Sequence, residues 1–434
     1  MEKKGQSYLR EVRERIKSKE AKDFVSAELD SHIREAKHEW MKKGLDEAEA
    51  EEKAVGQMGS PVTLGQKLNK LHRPKVDWLT MILLVATMGL GFIPILFVDP
   101  DYSLRIGMDA GDFFKHKAIF AFLGGAVVWG MMLLDYRKIA KLGWLFYIIG
   151  VLILLTINLF STGIVDGVPI VVLGPLTIES LMAIPFFFLA WASFFNNKKL
   201  KLWHLGLLFF HSCYLLLMVP STSTIYIYVV MVFVLFWWSK FSRKQILTTM
   251  ILSMGSCLMA VGVLWPLTSP YQKVRLLAFL NPEKYSNDEG FMILHIKELL
   301  AKAGWFGNST PLELLPGAHT DFVFVGFTYH YGWFLAAVLV LILCLLVARI
   351  IVISYKIHDP YGKLLLIGAV ALYTVQLVSN ICMTLGFFPM TSMSLPFISY
   401  GLMPILLNSF LIGVVLSVYR RKDLMYRHSI PLSN

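Results

Sequence analysis

Leu315-Pro-Gly-Ala-His319-Thr-Asp321-Phe322 runs without interruption into Val-Phe-Val-Gly-Phe-Thr-Tyr-His-Tyr-Gly332-Trp-Phe-Leu-Ala-Ala-Val-Leu-Val-Leu-Ile-Leu-Cys344. A polar hairpin with a histidine and a carboxylate opens an apolar run that extends over 321–348. A run of that length has one natural fate. A helix needs about 20 apolar residues to cross the hydrocarbon of a bilayer. The stretch therefore sets both the fold class and the place to look for chemistry: a carboxylate where a membrane span begins.

The same signal recurs along the chain. Hydrophobic residues make up 56% and charged residues 16% of the 434, where soluble domains run near half and a quarter. Apolar runs cover roughly 77–98, 117–135, 142–161, 179–195, 203–219, 222–239, 246–267, 321–348, 363–386 and 401–419. They are continuous and not alternating, which excludes a transmembrane β-barrel. The expected fold is an all-α polytopic membrane protein of about ten helices, with a large extracytoplasmic loop between helices 7 and 8. A small soluble helical domain over residues 1–75 precedes it. The membrane domain is expected over 76–422, with a cytoplasmic tail at 423–434.

The net charge of +11 does not point to nucleic acid. Lys and Arg gather in short clusters between apolar runs, as orientation signals do. Such clusters stand at 136–141, 196–201, 239–244 and 419–422 and alternate with loops poor in basic residues. Both termini of this multi-pass membrane protein are then expected in the cytoplasm. Loops 99–116, 162–178, 268–320 and 387–400 would face outward. Residues 1–75 are too polar to be a cleavable signal peptide, so the first span is expected to direct insertion. Cys213, Cys257, Cys344 and Cys382 lie far apart inside apolar runs, as reduced packing residues do.

Within residues 1–75, Tyr8, Val12, Ile16 and then Phe24, Leu29, Ile33 recur at helical spacing. A third helix is expected from Asp46 to Met58, ended by Gly59-Ser60-Pro61. The segment resembles a small helical prefix ahead of some bacterial permeases, and a docking or regulatory role is one reading of it.

The outer loops carry the candidate chemistry. Two readings fit Asp321: a cap on the helix that follows, favoured by the helix dipole, and a general base at the mouth of an outward cavity. Lys273 and Arg275, and likewise Lys115 and Lys117, suit either headgroup snorkelling or pairing with a diphosphate. Residues 289–304 have amphipathic helical spacing that suits the membrane interface, and Trp305-Phe306-Gly307 would turn at headgroup depth. Residues 386–401 are rich in helix breakers. They read as a broken segment, tolerated at membrane depth only when it lines protein or a cavity, or as a tight outer loop.

Four motifs in order, Tyr271-Gln-x-x-Arg275, Phe279-Leu-Asn-Pro-Glu283, Leu315-Pro-x-x-His319-Thr-Asp321-Phe and Leu395-Pro-Phe-Ile-Ser-Tyr-Gly401, resemble the SEDS family (shape, elongation, division and sporulation) over about residues 77–422. The resemblance implies a peptidoglycan glycosyltransferase acting on lipid II, an undecaprenyl diphosphate-linked disaccharide-pentapeptide. Asp321 would be the catalytic base of an inverting transfer. Arg275 and Lys117 would offset the charge of the leaving diphosphate, and His319, Lys273 and Ser399 complete the expected substrate-binding set. The resemblance leaves room for a divalent cation at the diphosphate, names no protein metal ligand, and implies a class B penicillin-binding protein as partner.

The chain departs from the family pattern in several places. Tyr329-His330-Tyr331-Gly332 stands where Glu-Glu-Leu-Gly is usual. Glu179-Ser180-Leu-Met-Ala183 stands for Gln-Pro-Ser-Glu, and Gly401-Leu-Met-Pro404 follows Ser-Tyr in place of Gly-Gly-Ser-Ser. Two alternatives are therefore carried: a catalytically weak membrane scaffold or regulator of cell-wall or spore morphogenesis, and a flippase for a lipid-linked precursor.

Overall fold

The computed structural model describes residues 4–17, 19–71, 75–97, 110–165, 168–173, 176–197, 199–219, 221–264, 270–287, 289–310 and 315–422. Asp99, Asp101, Arg105 and Asp109 of the first outer loop, and the tail expected at 423–434, lie outside them. The chain divides into two compact units, Met1–Val76 with Tyr419–Asn434, and Asp77–Val418.

The N-terminal unit is helical, as its periodicity predicts. Helices Lys4–Arg15 and Lys19–Lys42 turn Tyr8, Val12, Ile16, Val25, Leu29 and Ile33 into one core. The third helix is Glu47–Gln57. The reading of Gly59-Ser60-Pro61 as a terminus misses a fourth helix, Pro61–Leu71, which adds Leu64 and Leu68 to that core. Pro61 is its first residue, where the missing N–H costs nothing because that donor has no intrahelical partner anyway. Lys37 bridges Glu47 at 2.8 Å and Glu51 at 3.2 Å, and Glu51 also accepts from the Gly5 amide at 2.9 Å.

In the membrane unit each expected run carries a helix. Six helices are long and apolar enough to span: Trp78–Leu96, Gly111–Leu133, Tyr136–Phe160, Val323–Ser354, Pro360–Thr384 and Leu402–Arg420. Shorter apolar helices follow at Ser180–Asn196, Leu202–Met218 and Thr222–Trp237, and Arg243–Leu264 occupies the expected seventh run. This is a multi-pass membrane protein. In the most apolar 18-residue stretches of Pro360–Thr384 and Leu402–Arg420, 67% and 72% of the residues are buried, against 22–33% in those of the other long spans. Those two form the protein-facing centre. The outer spans present Trp78, Ile82, Val85, Phe122 and Trp129 outward, as a lipid-facing surface requires.

A polar pair locks the first span. Asp77 accepts from the Thr80 amide at 3.2 Å as the cap of the Trp78–Leu90 helix. It also pairs with Arg349, whose Nε donates at 2.9 Å. Asp77 is only 3% exposed. Burial by itself would raise its carboxyl, but Arg349 and Thr80 outweigh burial and hold it below the ordinary value. Arg349 thus has a structural counter-ion within an apolar helix, where an ionisable group is otherwise a candidate for function. Replacing Asp77 with alanine is expected to cost about 1–3 kcal/mol, because it removes the buried carboxylate that two nitrogens of the half-buried Arg349 guanidinium bond. Thermal unfolding of the variant in nanodiscs measures the loss, and an unchanged melting temperature refutes the assignment.

Strands appear where the sequence reads as an apolar loop. Gly163–Val165, Val168–Leu173 and Leu176–Ile178 form an antiparallel sheet in chain order. Gly163 faces Ile170, and Val171 faces Ile178. β-branched residues suit a pleated surface, and Val171 and Ile178 pack with Ile157 and Val219 at the end of the third span. The residues between the strands, 166–167 and 174–175, lie outside the described ones.

Candidate active site

The helix of the opening stretch, Val323–Ser354, is broken at Gly332, where φ is 82° and ψ 170°. The break frees donors and acceptors that the outer loop takes up. The Trp333 amide donates to the Gly304 carbonyl at 3.1 Å, the Phe334 amide to Trp305 at 3.2 Å, and the Asn308 amide to Tyr329 at 2.8 Å. The outer segment is therefore stitched to the span by its backbone. Trp305 and Phe306 are held outward there, 74% and 87% exposed.

The Glu289–Lys302 helix differs from expectation in what it covers. Its apolar stripe, Ile296, Leu299 and Leu300, packs on Leu315, Val325 and Tyr329 of the protein, leaving Phe291 exposed. The buried Tyr329 hydroxyl bonds Thr310 Oγ1 at 2.6 Å. So the aromatic that replaces the first family glutamate serves as an anchor for the outer loop.

Ahead of the Val323–Ser354 helix, Pro316 to Phe322 forms consecutive turns. The Thr320 and Phe322 amides both donate to the Gly317 carbonyl at 3.0 Å. This leaves the carbonyls of His319, Thr320 and Asp321 for other elements. The Tyr400 amide donates to His319 O at 2.8 Å, Ser399 Oγ to Thr320 O at 2.7 Å, and Asn380 Nδ2 to Asp321 O at 2.8 Å. Three successive carbonyls are thus held from the broken segment and from the Pro360–Thr384 helix. Buried carbonyls need partners. Here the partners also fix the backbone that carries the Asp321 side chain, which is half-buried.

Residues 389–401 are non-helical, and Met393, Leu395, Phe397, Ile398 and Ser399 within them are buried. The broken-segment reading describes this better than a tight outer loop. Ser399 Oγ also accepts from the Leu395 amide at 2.8 Å, so its single hydrogen and a lone pair are both used on backbone. Lys117 Nζ donates to the carbonyls of Phe397 at 3.1 Å, Ile398 at 3.0 Å and Ser399 at 2.7 Å. Phe113, His319 and Tyr400 stack edge to face around the same point, with ring centroids 5.0–5.8 Å apart.

The structure therefore brings together His319, Asp321, Ser399 and Lys117 of the expected set. Lys117 and Ser399 enter the cluster through backbone bonds. Lys273 and Arg275 sit on another element, the Pro270–Leu280 helix, which packs against Glu289–Lys302. Lys273 is half-buried, and the Arg275 side chain lies outside the described residues. Asp321 stands just before the helix, and the helix starts without a side-chain cap at Phe322. Asn380 was not singled out from the sequence. Its signal was available, since it is a side-chain amide in the middle of an apolar run, where polar groups are expensive and have partners. Among the described residues no three His, Cys, Asp or Glu side chains gather around one point.

Burial pushes the His319 imidazole down from 6.5 to about 4, so it is neutral at physiological pH. The unfolded chain takes up this proton first as pH falls. The stability tied to neutral His319 is therefore complete above about 6.5 and is lost as pH falls through about 4. A His319→Phe variant keeps the ring contacts and should lose less melting temperature than the parent between pH 7 and pH 4.5. Equal losses in both proteins would contradict the burial argument.

Residues 77–424 match the family model described as "Cell cycle protein", which takes in FtsW, RodA and SpoVE, and residues 7–67 match the HAAS model. The chain is 31% identical over 173 residues to a probable peptidoglycan glycosyltransferase FtsW of Trichlorobacter lovleyi, over 39% of this chain and 45% of that protein. It is 25% identical over 385 residues to the protein of the same description from Geobacter metallireducens, over 83% and 99%. With stage V sporulation protein E of Bacillus subtilis it shares 30% over 159 residues, 36% and 43% of the two chains. The matched part thus spans under half the length of the Trichlorobacter and Bacillus proteins. Among solved structures, a chain of a peptidoglycan synthase complex superposes with a TM-score of 0.67 at 24% identity, over 80% of this chain and 98% of that one. The rod shape determining protein RodA of Thermus thermophilus gives 0.58 at 22%, over 81% and 98%. At these identities both speak for the fold.

Proposed function

The chain belongs to the FtsW/RodA/SpoVE family of cell cycle proteins, and from that premise we propose that it is an inverting peptidoglycan glycosyltransferase with Asp321 as general base. The observation that carries the reading is the threefold hold on the His319, Thr320 and Asp321 carbonyls. A base must meet its proton within hydrogen-bond reach in a fixed geometry, and this backbone is fixed immediately around the carboxylate.

The substrate is lipid II. The Asp321 carboxylate takes the proton of the acceptor sugar hydroxyl. The freed oxygen pair attacks the anomeric carbon of the donor from the face opposite the diphosphate. The C–O bond to the diphosphate breaks, and undecaprenyl diphosphate leaves with that electron pair. Lys273 and Arg275 on the Pro270–Leu280 helix supply the positive charge that the leaving diphosphate needs. Burial favours the neutral form of His319 before substrate enters. Tyr329 in place of a family glutamate serves the outer loop and leaves this carboxylate in place. The site faces outward with both termini in the cytoplasm, as the basic loops require. A class B penicillin-binding protein crosslinks the product.

The full-length protein purified into nanodiscs and given lipid II should produce glycan polymer, on its own or with a class B penicillin-binding protein. No polymer under either condition would overturn the reading in favour of a scaffold. Translocation of labelled lipid without polymer would overturn it in favour of a flippase.

A further inference from the structure

We propose that Lys117 is a positioning residue for Asp321, acting by clasping three consecutive backbone carbonyls of the broken segment. The inference rests on the reading of Asp321 as general base. It assigns Lys117 a different part from the diphosphate contact that the family resemblance implies.

The Lys117 side chain is 1% exposed, on the helix Ala110–Leu133. An ammonium has three N–H donors, and the Phe397, Ile398 and Ser399 carbonyls stand at 3.1, 3.0 and 2.7 Å from Nζ. The donors are thereby committed to backbone. Three successive carbonyls cannot converge on one point in a helix or a strand. They converge here because Phe397 takes φ of +63°, a conformation that bulky residues avoid and that surrounding structure must enforce. The converging carbonyls bring their negative ends together, and a cation is the group that relieves this. Bonds from a charged donor are stronger than neutral ones. The neighbouring helix end is shaped to the clasp. A Cβ on Gly91 would stand 2.4 Å from the Phe397 oxygen and 3.2 Å from Lys117 Cε.

From the clasp to the carboxylate the path is short. Ser399, whose carbonyl Lys117 holds, donates its hydroxyl to Thr320 O. Tyr400, the next residue, donates its amide to His319 O. Loss of the cation therefore releases two of the three holds on the tripeptide that ends in Asp321. Asn380 keeps the third, and it also donates to the Met393 carbonyl.

The test uses the full-length protein in nanodiscs with lipid II, comparing the parent with Lys117→Met and, separately, Gly91→Ala. The second variant leaves the lysine in place and displaces the Phe397 carbonyl. Both are expected to lower kcat on the order of tenfold or more with KM nearly unchanged, the mark of lost transition-state geometry. Hydrogen exchange without substrate should show the amides of Leu395, Ser399 and Tyr400 losing protection, while the Leu402–Arg420 helix keeps its own. Unchanged exchange over 395–400 in both variants would overturn the clasp. A raised KM at constant kcat in Lys117→Met would overturn the positioning role and return Lys117 to direct substrate contact. If the parent makes no polymer, the glycosyltransferase reading fails, and the catalytic consequence with it. The exchange readout still decides the clasp.

Discussion

Glycan polymerisation by an Asp321→Asn variant is expected to fall by about 10²–10⁴-fold, the range associated with loss of a general base. Asparagine is nearly isosteric with aspartate, and it keeps the Asp321 carbonyl that Asn380 holds at 2.8 Å. The turns Pro316–Phe322 and the helix start at Val323 depend on backbone, so they should survive. What the variant loses is a carboxylate that accepts the acceptor's proton. The expected signature is a collapse of kcat in a lipid II assay, with the melting temperature close to the parent's. A variant that polymerises at the parental rate would remove Asp321 from the mechanism. A variant that loses activity and melts early would make it a structural cap.

Gly332→Ala is expected to be the most damaging substitution for the packing of residues 289–310 on the Val323–Ser354 helix. Its φ of 82° and ψ of 170° fall in a region open essentially to glycine alone, where another residue costs about 1–3 kcal/mol. Strain is only part of the effect. A Cβ there would stand 2.3 Å from Trp305 O, 2.4 Å from Gly307 N and 2.5 Å from Phe306 N. All three are backbone atoms and cannot swing aside. The stitch that joins Gly304 and Trp305 to Trp333 and Phe334 must open to admit the methyl. With it goes the platform on which Glu289–Lys302 packs. Limited proteolysis between Lys302 and Thr310 should accelerate, and the melting temperature should fall. Gly255→Ala is the control, because nothing lies within 4 Å of its added Cβ and it sits within a helix. Equal protease resistance in the two variants would contradict the account.

Tyr329 illustrates what the sequence could and could not say. As a departure from a family pattern it counts as a lost carboxylate. In the fold it is a buried ring in the cluster of Leu299, Leu315 and Val325, tied to Thr310. The outer helix has the same lesson. Its stripe at helical spacing was legible, but the same stripe suits a lipid interface or a protein partner. Only the position of Leu315 and Val325 decides between them.

Periodicity and run length determined the membrane class, the positions of the helices and the division between a polar N-terminal unit and an apolar remainder. These are local properties: a bilayer of fixed thickness and a helix of fixed rise leave little freedom. The motif order put Asp321 forward as the candidate base. Tertiary structure alone decided which groups hold it. Asn380 lies 59 residues from Asp321, Ser399 lies 79 from Thr320, and Lys117 lies 282 from the Ser399 carbonyl it binds. Such bonds have backbone as one partner. A carbonyl looks alike at every position in a sequence, so nothing in the order of residues marks which three will converge on a lysine.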